Sequence, residues 1–208
     1  MPRKPRVLEP NCVYHVYNRR TDRQRLFPSP RAFDEFLLLM EEGRERYGIR
    51  ICAYVLMETH WHQAIWIRDH DGRTPAINYL RRLSSRHALQ FRSVSNTRGD
   101  GHVYQDRYKS KAAQTEAHYL TLVRYIERNP LAAGLVDRAE RWPWSSLAER
   151  VSGRLRVVEP GPMPLPSDWP AVVNGDDVRG AEVGEGTEVG EGTEVGEGTE
   201  VALTHLRL

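Results

Sequence analysis

Cysteine is scarce: Cys12 and Cys52 are the 2 in 208 residues, and neither has another thiol close enough in sequence to make a zinc knuckle. Both sit in segments that read as strands, which implies buried, reduced thiols in a cytoplasmic protein. Also missing is any apolar run near the ~20 residues needed to span a bilayer. Met1-Pro2-Arg3-Lys4-Pro5-Arg6 is basic, but the apolar stretch of a signal peptide does not follow it. What is present is the composition of a globular protein, 39% hydrophobic and 28% charged, long enough for one domain and an appendage.

Charge divides the chain. Residues 1–150 carry 26 Lys and Arg against 17 Asp and Glu, whereas residues 151–208 carry 4 against 11. A basic body with an acidic tail suits a polyanionic partner such as nucleic acid, where neutralised phosphates release counterions. An ordinary solvated surface remains open on charge alone.

Cys12 to Asn18 alternates as a strand, followed by a polar loop. Ser29-Pro30 supplies an N-cap and a first-turn proline for a helix whose Phe33, Phe36, Leu37 and Met40 recur at helical spacing until Gly48. Strands are expected over 50–57 and 60–67. Thr74-Pro75 opens a second helix, with Ile77, Leu80 and Phe91 on one side and Arg81, Arg82 and Arg86 off it. Val103 to Ala112 reads as a fourth strand projecting Arg107, Lys109 and Lys111 from one face. Thr115 caps a third helix expected to stop at Arg128 or Asn129, before Pro130. This helix carries an apolar stripe of Tyr119, Leu120, Val123 and Ile126. The order β-α-β-β-α-β followed by a helix is α+β, a ferredoxin-like antiparallel sheet with an added C-terminal helix.

Past Trp144 the composition changes. The run Pro160 to Pro166 does not suit regular structure, and Val-Gly-Glu-Gly-Thr-Glu occurs 3 times from Val183 to Glu200. So little apolar surface cannot offset chain entropy, so the expectation is a folded domain over 1–150 and a disordered tail over 151–208.

The third strand carries His60-Trp61-His62. Residues two apart in a strand share a face, so the imidazoles stand about 7 Å apart along it and can converge on one metal ion. Such a pair also occurs in strands that bind nothing. On the third helix Tyr125 sits at the edge of the apolar stripe, Asn129 one turn further on the same side, and His118 shares that side. A metal held by two imidazoles has open positions for an amide oxygen, and a neighbouring tyrosine could attack a phosphorus atom. A packing role for Tyr125 and a helix-end role for Asn129 stay open on spacing alone.

Several segments together resemble one family. They are Tyr54-Val55-Leu56-Met57 before His60-Trp61-His62, Arg124-Tyr125-Ile126-Glu127-Arg128-Asn129-Pro130 through Val136, and Trp142-Pro143-Trp144-Ser145-Ser146. Tyr14-His15-Val16, Asn18-Arg19 and Val103 to Tyr108 add to the match, which covers residues 8–150. The chain resembles the single-tyrosine HUH transposases, and within them the REP-associated tyrosine transposases. The resemblance implies a metal-dependent single-stranded DNA endonuclease and strand-transferase acting on hairpin, REP-type DNA. Tyr125 would form a 5′-phosphotyrosine, and His60, His62 and Asn129 would hold Mg²⁺ or Mn²⁺. Arg81, Arg82, Arg86, Arg107, Lys109 and Lys111 are the expected DNA contacts. The protein would be a monomer or homodimer in the bacterial cytoplasm, at the nucleoid when bound to DNA. Leu165 to Asn174 resembles the start of an extension that becomes a basic helical segment in longer relatives, whereas here acidic repeats follow.

Two other readings are available. A domesticated, non-catalytic hairpin-binding regulator would have no need of His60, His62, Tyr125 and Asn129 together. A metal hydrolase of small substrates would need a carboxylate base, for which Glu58 is the close candidate.

Overall fold

The computed structural model describes residues 8–21, 24–68, 74–95 and 102–175. Strand β1 (Cys12–Arg19) leads to helix α1 (Pro30–Tyr47), the hairpin β2 (Arg50–Leu56) and β3 (His60–Ile67), then helix α2 (Thr74–Ser95), β4 (Lys109–Ala113) and helix α3 (Glu116–Ala132). The sheet order is β2-β3-β1-β4, with every pairing antiparallel. This is the ferredoxin-like arrangement expected from the sequence, with β1 and β3 central.

The caps behave as their residue types require. The Ser29 side chain accepts from the Ala32 amide ahead of Pro30, and Gly48 closes α1 in the left-handed region at φ 63°. Thr115 accepts from the His118 amide to start α3. Alternation along the strands then sends side chains to two cores. Tyr14, Val16, Trp61 and Ile65 meet α1 and α2 on one face. Val13, Val55 and Ala64 meet Leu122, Val123 and Ile126 of α3 on the other. A bulge in β2 puts both Cys52 and Ala53 on the α3 side. Both cysteines are free thiols, and burial pushes Cys52 up to about 12.

Three boundaries differ from the sequence expectation. β4 begins at Lys109 rather than Val103. Val103, Tyr104 and Tyr108 are all buried in the α1/α2 core, a spacing that does not alternate, and Tyr104 makes only an isolated bridge to Arg20. Helix α3 runs through Pro130 to Ala132 instead of stopping before the proline. Pro130 removes one amide, but the amides of Ala133, Gly134 and Leu135 bond back to Asn129, Leu131 and Pro130, and Gly134 turns the chain at φ 67°. Along α3 Leu122 is buried and Leu120 only partly so.

The third difference is the domain boundary. The chain divides into units 1–174 and 175–208, so the folded part runs past residue 150. After a 3-10 turn (Ala139–Arg141) come α4 (Ser146–Ser152) and α5 (Trp169–Asn174), with Val157, Val158, Trp169 and Val173 all buried. The prolines between them rule out helix and strand, but they do not prevent packing. The Glu149 carboxylate explains how this stretch is held. It accepts from the Tyr54 hydroxyl at 2.7 Å and from the amides of Arg156, Val157 and Val158 at 2.9 to 3.0 Å. The acidic repeats expected to be disordered lie outside the described residues.

Helix α3 is tied to this C-terminal stretch through Glu127, which is fully buried. Its carboxylate accepts from Ser146 Oγ at 2.6 Å, Arg150 Nε at 3.0 Å and Trp169 Nε1 at 2.6 Å. Arg124 and Arg128 donate to the carbonyls of Val172 and Val173, satisfying groups at the end of α5. Trp169→Phe keeps the ring bulk but removes one donor from a buried carboxylate, so it should cost about 1–3 kcal/mol in urea unfolding. An unchanged unfolding midpoint would show that this bond contributes nothing to holding α3.

Candidate active site

The two-residue turn Glu58-Thr59 is closed by bonds between Met57 and His60, at 2.8 Å and 3.3 Å. It sets His60 at the mouth of β3 and His62 one pleat further in. Both project toward α3, as alternation from the sequence predicts. His60 is half-buried and His62 is 6% exposed, with ring centroids 5.0 Å apart and planes at 89°.

The β1–β3 register brings two more rings to this face. Tyr17 lies opposite His62, and His15 lies one pleat along. His15 Nε2 is 2.8 Å from His62 Nδ1, and Tyr17 stacks on both imidazoles at 4.8 Å and 5.6 Å. Tyr125 comes down from α3 edge-on, its ring 5.7 Å from His62 and 5.8 Å from His15. Small residues beneath the helix, Cys52, Ala53 and Ala64, let it approach the sheet closely.

The other residues expected at the site are placed less uniformly. Asn129 is half-buried, and its Nδ2 donates to the Tyr125 carbonyl at 2.9 Å. Among the described residues, no hydrogen bond or ring contact links it to the histidines. Exposed His118 accepts from the Gln114 amide at 3.4 Å. Glu58 pairs with Arg25 at 3.4 Å, away from the imidazole cluster. Lys111 and Lys109 lie opposite His15 and Tyr17 on the edge strand β4, exposed on the site's own face. Arg107 is exposed in the turn before them, its amide bonded to Asp106. Arg81 and Arg86 (exposed) and Arg82 (half-buried) stand on α2, which covers the opposite face. The six basic residues therefore fall on two sides of the sheet.

The family described as Transposase IS200 like matches residues 9–129. The chain belongs to the IS200-like transposases. Among solved structures it is similar to a REP-associated tyrosine transposase bound to a REP hairpin. That likeness has a TM-score of 0.55 and 19% identity, covering 80% of this chain and 96% of the other. It is also similar to a candidate transposase from Deinococcus radiodurans R1, with a TM-score of 0.41 and 16% identity over 61% and 96% of the two chains. Identities this low speak to the fold alone. No curated protein matches the sequence.

In this IS200-like chain His62 and His15 are kept neutral, the form that binds metal. Burial, then His15, His60 and Arg19, hold His62 well below the usual histidine range. Burial, then Lys111 and His118, lower His15 to about 4. Each histidine of the pair also has its Nδ1 engaged by the protein: His60 with Thr59 Oγ1 at 2.9 Å, and His62 with His15. That is the arrangement of ligating histidines whose Nε2 faces a metal. Among the described residues no group of three or more His, Cys, Asp or Glu side chains is disposed to hold a metal ion together. The two imidazole nitrogens left facing outward would suit a divalent ion that also takes oxygen ligands.

Sequence reasoning singled out His60, His62 and Tyr125 but gave His15 and Tyr17 no role. Alternation along β1 puts those two on one face. Their meeting with His62 depends on the cross-strand register, which residue types alone do not reveal.

The buried histidines also set a pH dependence. The unfolded chain takes up protons near 6.5. The folded chain refuses them until about 4 at His15 and about 3 at His87, which burial alone lowers. Stability is therefore fully present above about pH 6.5 and is lost as the pH falls through that window. The urea midpoint of the metal-free protein should be lower at pH 5.2 than at pH 7.5, and His15→Gln should narrow the gap. Equal midpoints at the two values would contradict neutral burial.

Proposed function

We propose that this transposase-family protein is a metal-dependent single-stranded DNA endonuclease and strand-transferase acting on hairpin-forming DNA, with Tyr125 as its nucleophile. The observation that carries the reading is the approach of Tyr125 to His62 and His15 within one chain, on the one sheet face that also bears His60 and exposed lysines. The solved relative bound to a REP hairpin supports DNA hairpins as the substrate class.

The Tyr125 hydroxyl oxygen attacks the phosphorus of a phosphodiester. The bond to the 3′ oxygen breaks, the 3′ end leaves as a hydroxyl after taking a proton, and the 5′ phosphate stays on the tyrosine. Attack by another 3′ hydroxyl on that phosphotyrosine reverses the chemistry and joins strands. A divalent cation, Mg²⁺ or Mn²⁺, held by His60 and His62 with Asn129 as the amide ligand, would polarise the phosphate and offset its growing charge. Asn129 would have to turn its oxygen toward the histidines while its nitrogen keeps the Tyr125 carbonyl. Lys109 and Lys111 lie on the edge strand opposite Tyr17 and His15, and we assign them to the DNA backbone. We place Arg107 with them and assign Arg81, Arg82 and Arg86 to a second, more distant stretch of the hairpin.

No helix among the described residues is long and apolar enough to cross a membrane. We read the protein as cytoplasmic, at the nucleoid when bound to DNA, and as a monomer or homodimer.

Tyr125→Phe should abolish nicking of a hairpin with a single-stranded flank while leaving its affinity within about twofold, since only the attacking oxygen is lost. A variant that still nicks sinks the assignment. Salt titrations separate the two basic groups. Lys109→Ala with Lys111→Ala should lower the slope of log K against log salt by roughly one to two. An unchanged slope would remove β4 from the interface.

A further inference from the structure

His62 has a second histidine behind it. His15 comes from β1, which like β3 is paired on both sides, and its Nε2 meets His62 Nδ1 at 2.8 Å with both side chains buried. We propose that His15 is a positioning residue, which fixes the ring orientation and tautomer of His62 so that Nε2 faces the metal. This rests on the metal-dependent reading of the site above.

Proton placement decides what partner His62 needs. A neutral imidazole has one N–H and one lone pair, and a metal takes the lone pair. If Nε2 of His62 binds the ion, its Nδ1 carries the hydrogen and needs an acceptor. That nitrogen is buried, so the acceptor comes from the protein, and the atom at hydrogen-bond distance is His15 Nε2. His15 then carries its own hydrogen on Nδ1. Its ring has little freedom to turn away. Tyr17 stacks on it at 4.8 Å with the planes 30° apart, and Tyr125 closes its edge at 5.8 Å. His60 is held differently, by its sequence neighbour Thr59 at the half-buried end of the hairpin. The direction of His62 is thus built into the pairing of two central strands. Outer partners of this kind typically change metal affinity by roughly 10- to 100-fold when removed.

Two substitutions of like polarity separate positioning from bulk. A glutamine amide reaches about as far as imidazole Nε2, whereas an asparagine amide ends near the Nδ1 position and falls short of His62. The DNA-free full chain is titrated with Mn²⁺ and followed by electron paramagnetic resonance, for wild type, His15→Gln, His15→Asn and the double variant His60→Ala/His62→Ala. Wild type should bind, and the double variant should not. His15→Gln should stay within roughly threefold of wild type, and His15→Asn should weaken roughly 10- to 100-fold. Pulsed spectra of the bound ion should count two imidazoles. Equal affinity for His15→Asn and wild type would overturn the positioning role while leaving the metal site standing. Three coordinated imidazoles would overturn it by making His15 a ligand. Failure of wild type to bind, or binding that survives in the double variant, would overturn the proposal together with the reading of the site.

Discussion

A carboxylate with no exposure to solvent holds helix α3 over the histidine-bearing face of the sheet. Glu127 sits two residues past Tyr125, and its oxygens are shared among a serine and an arginine of α4 and the tryptophan that opens α5. A buried charge is tolerated only when such partners surround it, and removing one leaves the others with an uncompensated ion. The position of α3 over the sheet therefore depends on the chain folding back through α4 and α5. Arg124 and Arg128, which flank Tyr125 in the helix, add bonds to the same stretch. The residues around Tyr125 are thus mostly devoted to holding its helix in place, with the tyrosine ring facing the histidines.

Beneath that helix the sheet supplies rigidity and selects which rings meet. β1 and β3 are central, so His15, Tyr17, His60 and His62 stand on strands paired on both sides. Apolar residues of modest size, among them Val13, Cys52, Ala53, Val55 and Ala64, lie on this face beneath α3, while Trp61, Tyr54 and Tyr79 pack on the other side with α1 and α2. The two faces therefore differ: one packs against α1 and α2, and the other carries the histidines and meets α3. The edge strand β4 takes its lysines to the second of these. An exposed edge with lysine is protected against pairing with other strands, and in this protein the same residues lie beside the site.

Much of this was legible in the residues. Period-two runs, the Ser29 and Thr115 caps and the Gly48 stop carry the element order, and that order leads to the ferredoxin-like sheet. Alternation alone puts His60 and His62 on one face. What was not legible depends on contacts between segments far apart in sequence. The His15–His62 bond follows from register. The late start of β4 follows from Val103, Tyr104 and Tyr108 filling one core without alternating. The helix passes Pro130 because downstream amides return to its last carbonyls. The stretch after residue 150 reads as unstructured because its prolines and polar residues hide how few apolar side chains (Val157, Val158, Trp169, Val173) suffice when Glu149 and Glu127 anchor them. Charge counts found a basic body, but they did not separate the arginines of α2 from the lysines beside the site.

The central claim is that Tyr125, and not another phenol on the same face, carries the DNA. Tyr17 stacks directly on His62 and is the competing oxygen. The most direct measurement is mass spectrometry of the digested covalent complex formed with a suicide hairpin substrate in Mn²⁺. The account predicts a nucleotide phosphate on the peptide containing Tyr125. Attachment at Tyr17, or cleavage that proceeds with no protein–DNA adduct at all, would contradict it.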